Sequence, residues 1–172
     1  MHRKPLSVVI AKIVATFFGL GYIPFAPGTF GALGGLLISY ALTLYCTAEL
    51  SKVPLSLSKF PLSVAEVVLV VAAYLSGVWA CRTLADEWGQ DPSKVVIDEA
   101  LGFWVSIIAL PHTPFYLIGG FLLFRLFDIT KPFGIRRIDN WHTPHAVMLD
   151  DVAAGVAANV VLQLVHYTGY GV

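Results

Sequence analysis

With 172 residues, 57% of them hydrophobic and 13% charged, and a mean hydropathy of +0.76, the chain is too apolar for an ordinary soluble domain. It reads as an integral membrane protein forming a single domain over 1–172. Its 11 basic and 11 acidic residues cancel and form no basic face, which excludes nucleic acid as a partner.

The N-terminus, MHRKP followed by LSVVIAKIVATFFGLGYI, has the basic start and apolar middle of a signal peptide. Lys12 interrupts the apolar run, and PFAPGTFG follows where small residues would mark a cleavage site, so the segment is expected to stay in the mature protein. It either spans once or lies along the interface as an amphipathic helix. Apolar stretches at 32–48 and 63–82 come next, each sized near the ~20 residues of a spanning helix. Cys46 and Cys81 lie within them without metal-type spacing and are assigned no function. A longer stretch, 99–128, is divided by LPHTPF at 110–115, whose two prolines disfavour helical geometry in the residues before them. This predicts a helical hairpin turning near His112. A last span is expected over 151–168, which gives an all-α, polytopic transmembrane helical bundle with an interfacial N-terminal helix and a helical hairpin.

Of the 22 Asp, Glu, Lys and Arg residues, 15 fall between Arg82 and Asp151, and they gather at the ends of apolar segments. A hairpin over 99–128 puts both its ends on one side, where Arg82, Asp98, Glu99, Asp128, Lys131, Asp150 and Asp151 can converge. The Lys and Arg content of these loops, with Arg3 and Lys4, marks that side as cytoplasmic. An interfacial first segment brings PFAPGTFG to the same face.

Each charged element has two readings. Asp98-Glu99 and Asp150-Asp151 precede apolar helical runs, where acids cap free amides and suit the positive helix end. Two acidic pairs on one face also supply the hard oxygen ligands that Mg²⁺ requires. Asp128 falls near a helix C-terminus, where negative charge opposes the macrodipole, and it needs compensation from Arg125 one turn earlier or Lys131 one turn later. Arg136 and Arg137 either follow the positive-inside preference or, with Arg125 and Lys131, bind an anionic phosphate beside the carboxylates. In FAPGTFGALGG, Thr29 and its neighbours are turn and cap residues, or a phosphate-binding helix start. Asp151, Gly155 and Asn159 recur every four residues, with Gln163 and His166 nearby, and this face should point into the bundle.

Four motifs in order, FAPGTFGAL, DPSKVVIDEALGFW, FRLFDITKPFGIRRID and VMLDDVAAG, span nearly the whole chain. Together they resemble the phosphatidylglycerophosphatase A family of bacterial membrane lipid phosphatases. The resemblance implies a Mg²⁺-dependent phosphomonoesterase at the cytoplasmic face of the inner membrane, converting phosphatidylglycerophosphate to phosphatidylglycerol. Asp98, Glu99, Asp128, Asp150 and Asp151 are then the pool of metal-binding and catalytic carboxylates, and Thr29, Arg125, Lys131 and Arg136 bind the substrate. His142 and His145 are candidate proton donors to the leaving group. The chain reads HTPHAVMLDD where the family has glycines, so that Thr143, Pro144 and Ala146 replace them, and Gly134 stands where the family has Pro. A differently shaped loop or a different headgroup is the expected result. Two other classes fit membrane-embedded acids: a small ion-binding transporter, and a phospholipid-binding protein without catalysis. A transport path needs polar groups deep in several spans, whereas the middles of 32–48 and 63–82 are almost wholly apolar.

Overall fold

A computed structural model describes residues 5–50, 60–89, 93–141 and 143–169. The elements are α1 (Leu6–Ala15), a 3₁₀ turn (Leu20–Tyr22), α2 (Pro27–Leu50), α3 (Phe60–Trp88), α4 (Ile97–Ile107), α5 (Pro114–Thr130), α6 (Ile135–Asp139) and α7 (Pro144–Tyr167). Among the described residues, three segments are long and apolar enough to cross a bilayer: Pro27–Ala48, Glu66–Trp88 and Pro144–Tyr167. The outward faces of the bundle carry exposed Leu37, Leu44, Val68, Leu75, Ile118, Leu122, Val160 and Leu164. An exterior this apolar matches lipid rather than water.

The short helix α4 is the axis of the molecule. Its 11 residues extend only ~16 Å. All of them except half-buried Glu99 are buried. Helices α2, α3, α5 and α7 surround it. Glycines let the backbones close: a Cβ on Gly155 of α7 would collide with the Gly102 carbonyl of α4. The carbonyls without intrahelical partners at the end of α4 find donors on α7. Asn159 Nδ2 donates to Ser106 (3.1 Å) and Ile108 (2.9 Å), and Gln163 Nε2 donates to Ile108 (3.2 Å). The inward face anticipated from the fourfold spacing of Asp151, Gly155 and Asn159 is therefore present.

The hairpin is present as well, formed by α4 and α5 with His112 at its tip. His112 bonds Thr43 of α2 through Nδ1 (2.8 Å) and Glu66 of α3 through Nε2. Helix α1, of 10 residues, is too short to cross. It buries Ala11 and Ala15, exposes Leu6, Val9, Ile10 and Ile13, and packs on α3, an arrangement suited to the interface. The Ala15 carbonyl accepts a hydrogen bond from the Val96 amide (2.8 Å), which ties α1 to the entrance of α4.

The last span differs from the expectation. It starts at Pro144 rather than 151, because Thr143 is an N-cap whose side chain accepts from the Ala146 amide (3.1 Å) and Pro144 occupies the first turn. Asp150 and Asp151 thus stand about two turns inside α7 and cap nothing. Asp98 and Glu99, by contrast, do occupy the first turn of α4.

Candidate active site

Glu99 and Asp98 enter the site from the start of α4, Arg125 and Asp128 from the last turns of α5, Lys131 from its C-cap, and Asp150 and Asp151 from α7. Together with Ala26, Pro27, Gly28, Ser93, Val95, Asp139 and Val147 they line one cleft of about 270 Å³. The hairpin explains the convergence: α4 begins and α5 ends at the same side, the Gly102–Gly155 contact brings α7 against α4, and α7 packs on α5 as well. Gly28 belongs to the cleft by necessity, since a Cβ there would run into the Glu99 carboxylate and lie 3.2 Å from Arg125 Nη1.

The fixed cations are interleaved with the acids. Arg125 Nη1 donates to Asp128 Oδ2 at 2.7 Å, the compensation expected one turn before Asp128. Lys131 does not pair with Asp128. It adopts a left-handed backbone (φ 45°) that ends α5 and carries its ammonium across to Asp150 of α7 and to Asp139 of α6, 3.0 Å away. Partial burial pulls the Lys131 pKa down, but its hydrogen bonds to Asp150 and Asp139 outweigh that and hold it above the usual lysine range. The ammonium therefore stays charged through neutral pH. The turn after Lys131 excludes proline at its end: Gly134 sits at φ +83°, which proline, fixed near −65°, cannot adopt.

Three buried side-chain atoms lack a hydrogen-bond partner among the described residues: Glu99 Oε2, Asp150 Oδ1 and Arg125 Nε. All three belong to residues lining the cleft. Buried polar atoms are ordinarily paired, so two free carboxylate oxygens and a free guanidinium N–H define vacant acceptor and donor positions. Carboxylate oxygens are hard donors that fit Mg²⁺, and the free Arg125 N–H fits an anionic oxygen.

Other expected residues lie further out. Thr29 does not line the cleft, which this segment reaches through Ala26 and the first residues of α2, Pro27 and Gly28. Arg136 and Arg137 are exposed on α6. Arg82 donates to His145 Nε2 (2.7 Å), so Nδ1 carries the proton and donates to the Tyr74 hydroxyl (2.9 Å), away from the cleft lining. His142, Arg3 and Lys4 lie outside the described residues. Ser93 and Asp139 line the cleft unanticipated. Asp139 closes the charged stretch that begins at Arg125, and that position was its one sequence signal.

In a helical bundle with a lipid-like exterior, this cleft combines oxygen donors suited to a hard cation with two fixed positive charges suited to an anionic phosphate. The model of the family described as phosphatidylglycerophosphatase A matches residues 13–166. A Bacteroides thetaiotaomicron protein provisionally named phosphatidylinositol-3-phosphatase is 38% identical, over 90% of this chain and 92% of its own length. The proteins named phosphatidylglycerophosphatase A from Escherichia coli (30% identical, 93% and 86% covered) and Haemophilus influenzae (32%, 90% and 88%) are similar throughout. No solved structure matches the chain. The chain belongs to the phosphatidylglycerophosphatase A family and is a phosphoric monoester hydrolase.

Proposed function

We propose that this enzyme, acting as one domain, hydrolyses phosphatidylglycerophosphate to phosphatidylglycerol and phosphate, with Mg²⁺ as cofactor, at the cytoplasmic face of the bacterial inner membrane. The observation that carries the reading is the interleaving of Arg125 and Lys131 with carboxylates that retain free buried oxygens. It favours a hydrolase over an ion path, because the polarity is gathered in a cleft that also offers cationic donors to a phosphate.

Asp98, Glu99, Asp128, Asp150 and Asp151 form the ligand pool for Mg²⁺. Once bound, the ion supplies Lewis acidity toward the phosphoryl group and a positioned water. Arg125 holds Asp128 with one nitrogen and keeps Nε for a phosphate oxygen. Lys131 adds a fixed positive charge where negative charge shifts in the transition state. A carboxylate of the pool accepts the proton of the attacking water on the oxygen that it does not commit to a cation. Arg136 and the start of α2 with Thr29 receive the headgroup from the rim, where the positive helix end favours an anion.

A second headgroup, phosphatidylinositol 3-phosphate, is favoured by the name of the 38%-identical relative. The replaced glycines Thr143, Pro144 and Ala146 flank Val147, which lines the cleft. Phosphate release by the purified chain in mixed micelles decides between the two lipids, with EDTA and Mg²⁺ readdition as controls. Phosphatidylglycerophosphate is expected to give the higher kcat/KM, and EDTA to abolish release. Full activity in EDTA overturns the cation, and equal kcat/KM for soluble glycerol phosphate overturns the lipid.

A further inference from the structure

The carboxylates of the cleft fall into two groups that share one residue. Asp98, Glu99 and Asp151 each offer an oxygen within 4.8 Å of the others, and Asp128, Asp150 and Asp151 do the same. Each group contains one of the unpartnered buried oxygens, Glu99 Oε2 in the first and Asp150 Oδ1 in the second. Asp150 is only 6% exposed and already receives Lys131 on its other oxygen, so Oδ1 is a buried acceptor without a partner among the described residues. Asp151, 4% exposed, is the one member common to both groups.

We infer that the cleft holds two divalent cations rather than one, with Asp151 bridging them, Asp98 and Glu99 completing one position, and Asp128 and Asp150 the other. Charge balance points the same way. Metal ligation requires deprotonated carboxylates, and five of them against two fixed cations, Arg125 and Lys131, leave three negative charges to be compensated. One divalent ion still leaves the cleft anionic, which repels a phosphate dianion; two leave it positive by one. With half-buried Asp139 included, one ion leaves two negative charges and two ions bring the cleft to neutrality. A bridging carboxylate with both oxygens committed also explains a deeply buried Asp151 that has no ion pair of its own among the described residues, a placement otherwise costly. The two positions are unequal. Arg125 and Lys131 compete for the second group, whereas no Arg or Lys ion pair among the described residues occupies the first, so the first fills at lower concentration.

The inference rests on the phosphatase reading but is tested without turnover. The purified chain in detergent is titrated with Mn²⁺ alone, and bound ions are counted by loss of the free-ion EPR signal at low temperature and by the spectrum of the bound ions. Two ions per chain are expected, binding in two phases with an exchange-coupled spectrum. Glu99→Gln and Asp150→Asn are each expected to lower the count to one and remove the coupling, and Glu99→Gln to abolish the tighter phase. Asp151→Asn is expected to weaken both phases at least tenfold. The wild-type count needs no variant to fold, and circular dichroism checks those that are used. Zero or one ion in the wild type, or two that show no coupling, overturns the pair. Phosphate release supported by one ion would sink the pair and leave the phosphatase reading intact. Two coupled ions without hydrolysis of either lipid would do the reverse.

Discussion

The two ends of the bundle both bury polar groups, and among the described residues only one end leaves them unsatisfied. At the far end, His112 bonds both Glu66 and Thr43, Asn159 and Gln163 cap α4, and the Tyr116 hydroxyl meets His166 Nδ1 at 2.7 Å. At the cleft end, Glu99, Arg125 and Asp150 keep unpartnered atoms. Thr43 is 15 residues along α2 from Gly28, so ~22 Å of helix separates the two regions. Burial of charge is common to both and does not distinguish them. Residual hydrogen-bonding capacity does, because a buried group without a partner is costly and persists where a ligand completes it.

The comparison breaks most sharply at Asp128. Asp128→Asn is expected to lower kcat/KM by ~10³-fold or more, about 4 kcal/mol in the transition state, while the detergent-solubilised protein keeps its Tm within about 2 °C. A large fall in Tm would make the cleft a structural region like the far end. His112→Ala should do the converse. It leaves Glu66 buried without a partner, so a loss of about 3 kcal/mol of stability is expected, read by thermal or denaturant unfolding, with kcat/KM of the folded fraction within ~3-fold of wild type. Turnover lost in proportion to nothing but His112 would place chemistry at the hairpin tip.

Smaller changes sharpen the contrast within the cleft. Arg125→Lys retains charge but cannot hold Asp128 and present a second N–H together, so a fall of ~30-fold in kcat/KM is expected, about 2 kcal/mol. An unchanged rate would show that Arg125 acts as a point charge. Arg136→Ala, on an exposed residue of α6, is expected to raise KM by only ~3-fold at constant kcat, an effect that added salt should mimic. A fall in kcat would move Arg136 from the rim into the cleft.

Much of the cleft was legible in the sequence because charges are rare in so apolar a chain, and each one therefore had to be accounted for. Pro111 and Pro114 located the hairpin, and the hairpin then dictated that Asp98, Glu99 and Asp128 meet. What was not legible depended on long-range pairing. Reading 63–82 as apolar passed over Glu66, whose partner His112 stands 46 residues away. The left-handed turn at Lys131 sent its side chain to Asp150 and Asp139 instead of back to Asp128. Thr143-Pro144 was visible as a departure from a glycine pattern, but its local meaning, a capped helix start, moved the beginning of α7 seven residues upstream of the expected 151.

The enclosure of α4 bears on how the protein is made. A helix of 11 residues that opens on two acids falls well short of an independent insertion unit, for which about 20 apolar residues are needed. In the folded bundle it is one arm of the α4–α5 hairpin and is sheltered by α2, α3 and α7 packed round it. Since α4 carries Asp98 and Glu99 and α7 carries Asp150 and Asp151, closing the bundle and assembling the cleft are one event in biogenesis. A nascent chain still short of its last helix has neither a sealed interior nor a complete set of oxygen donors.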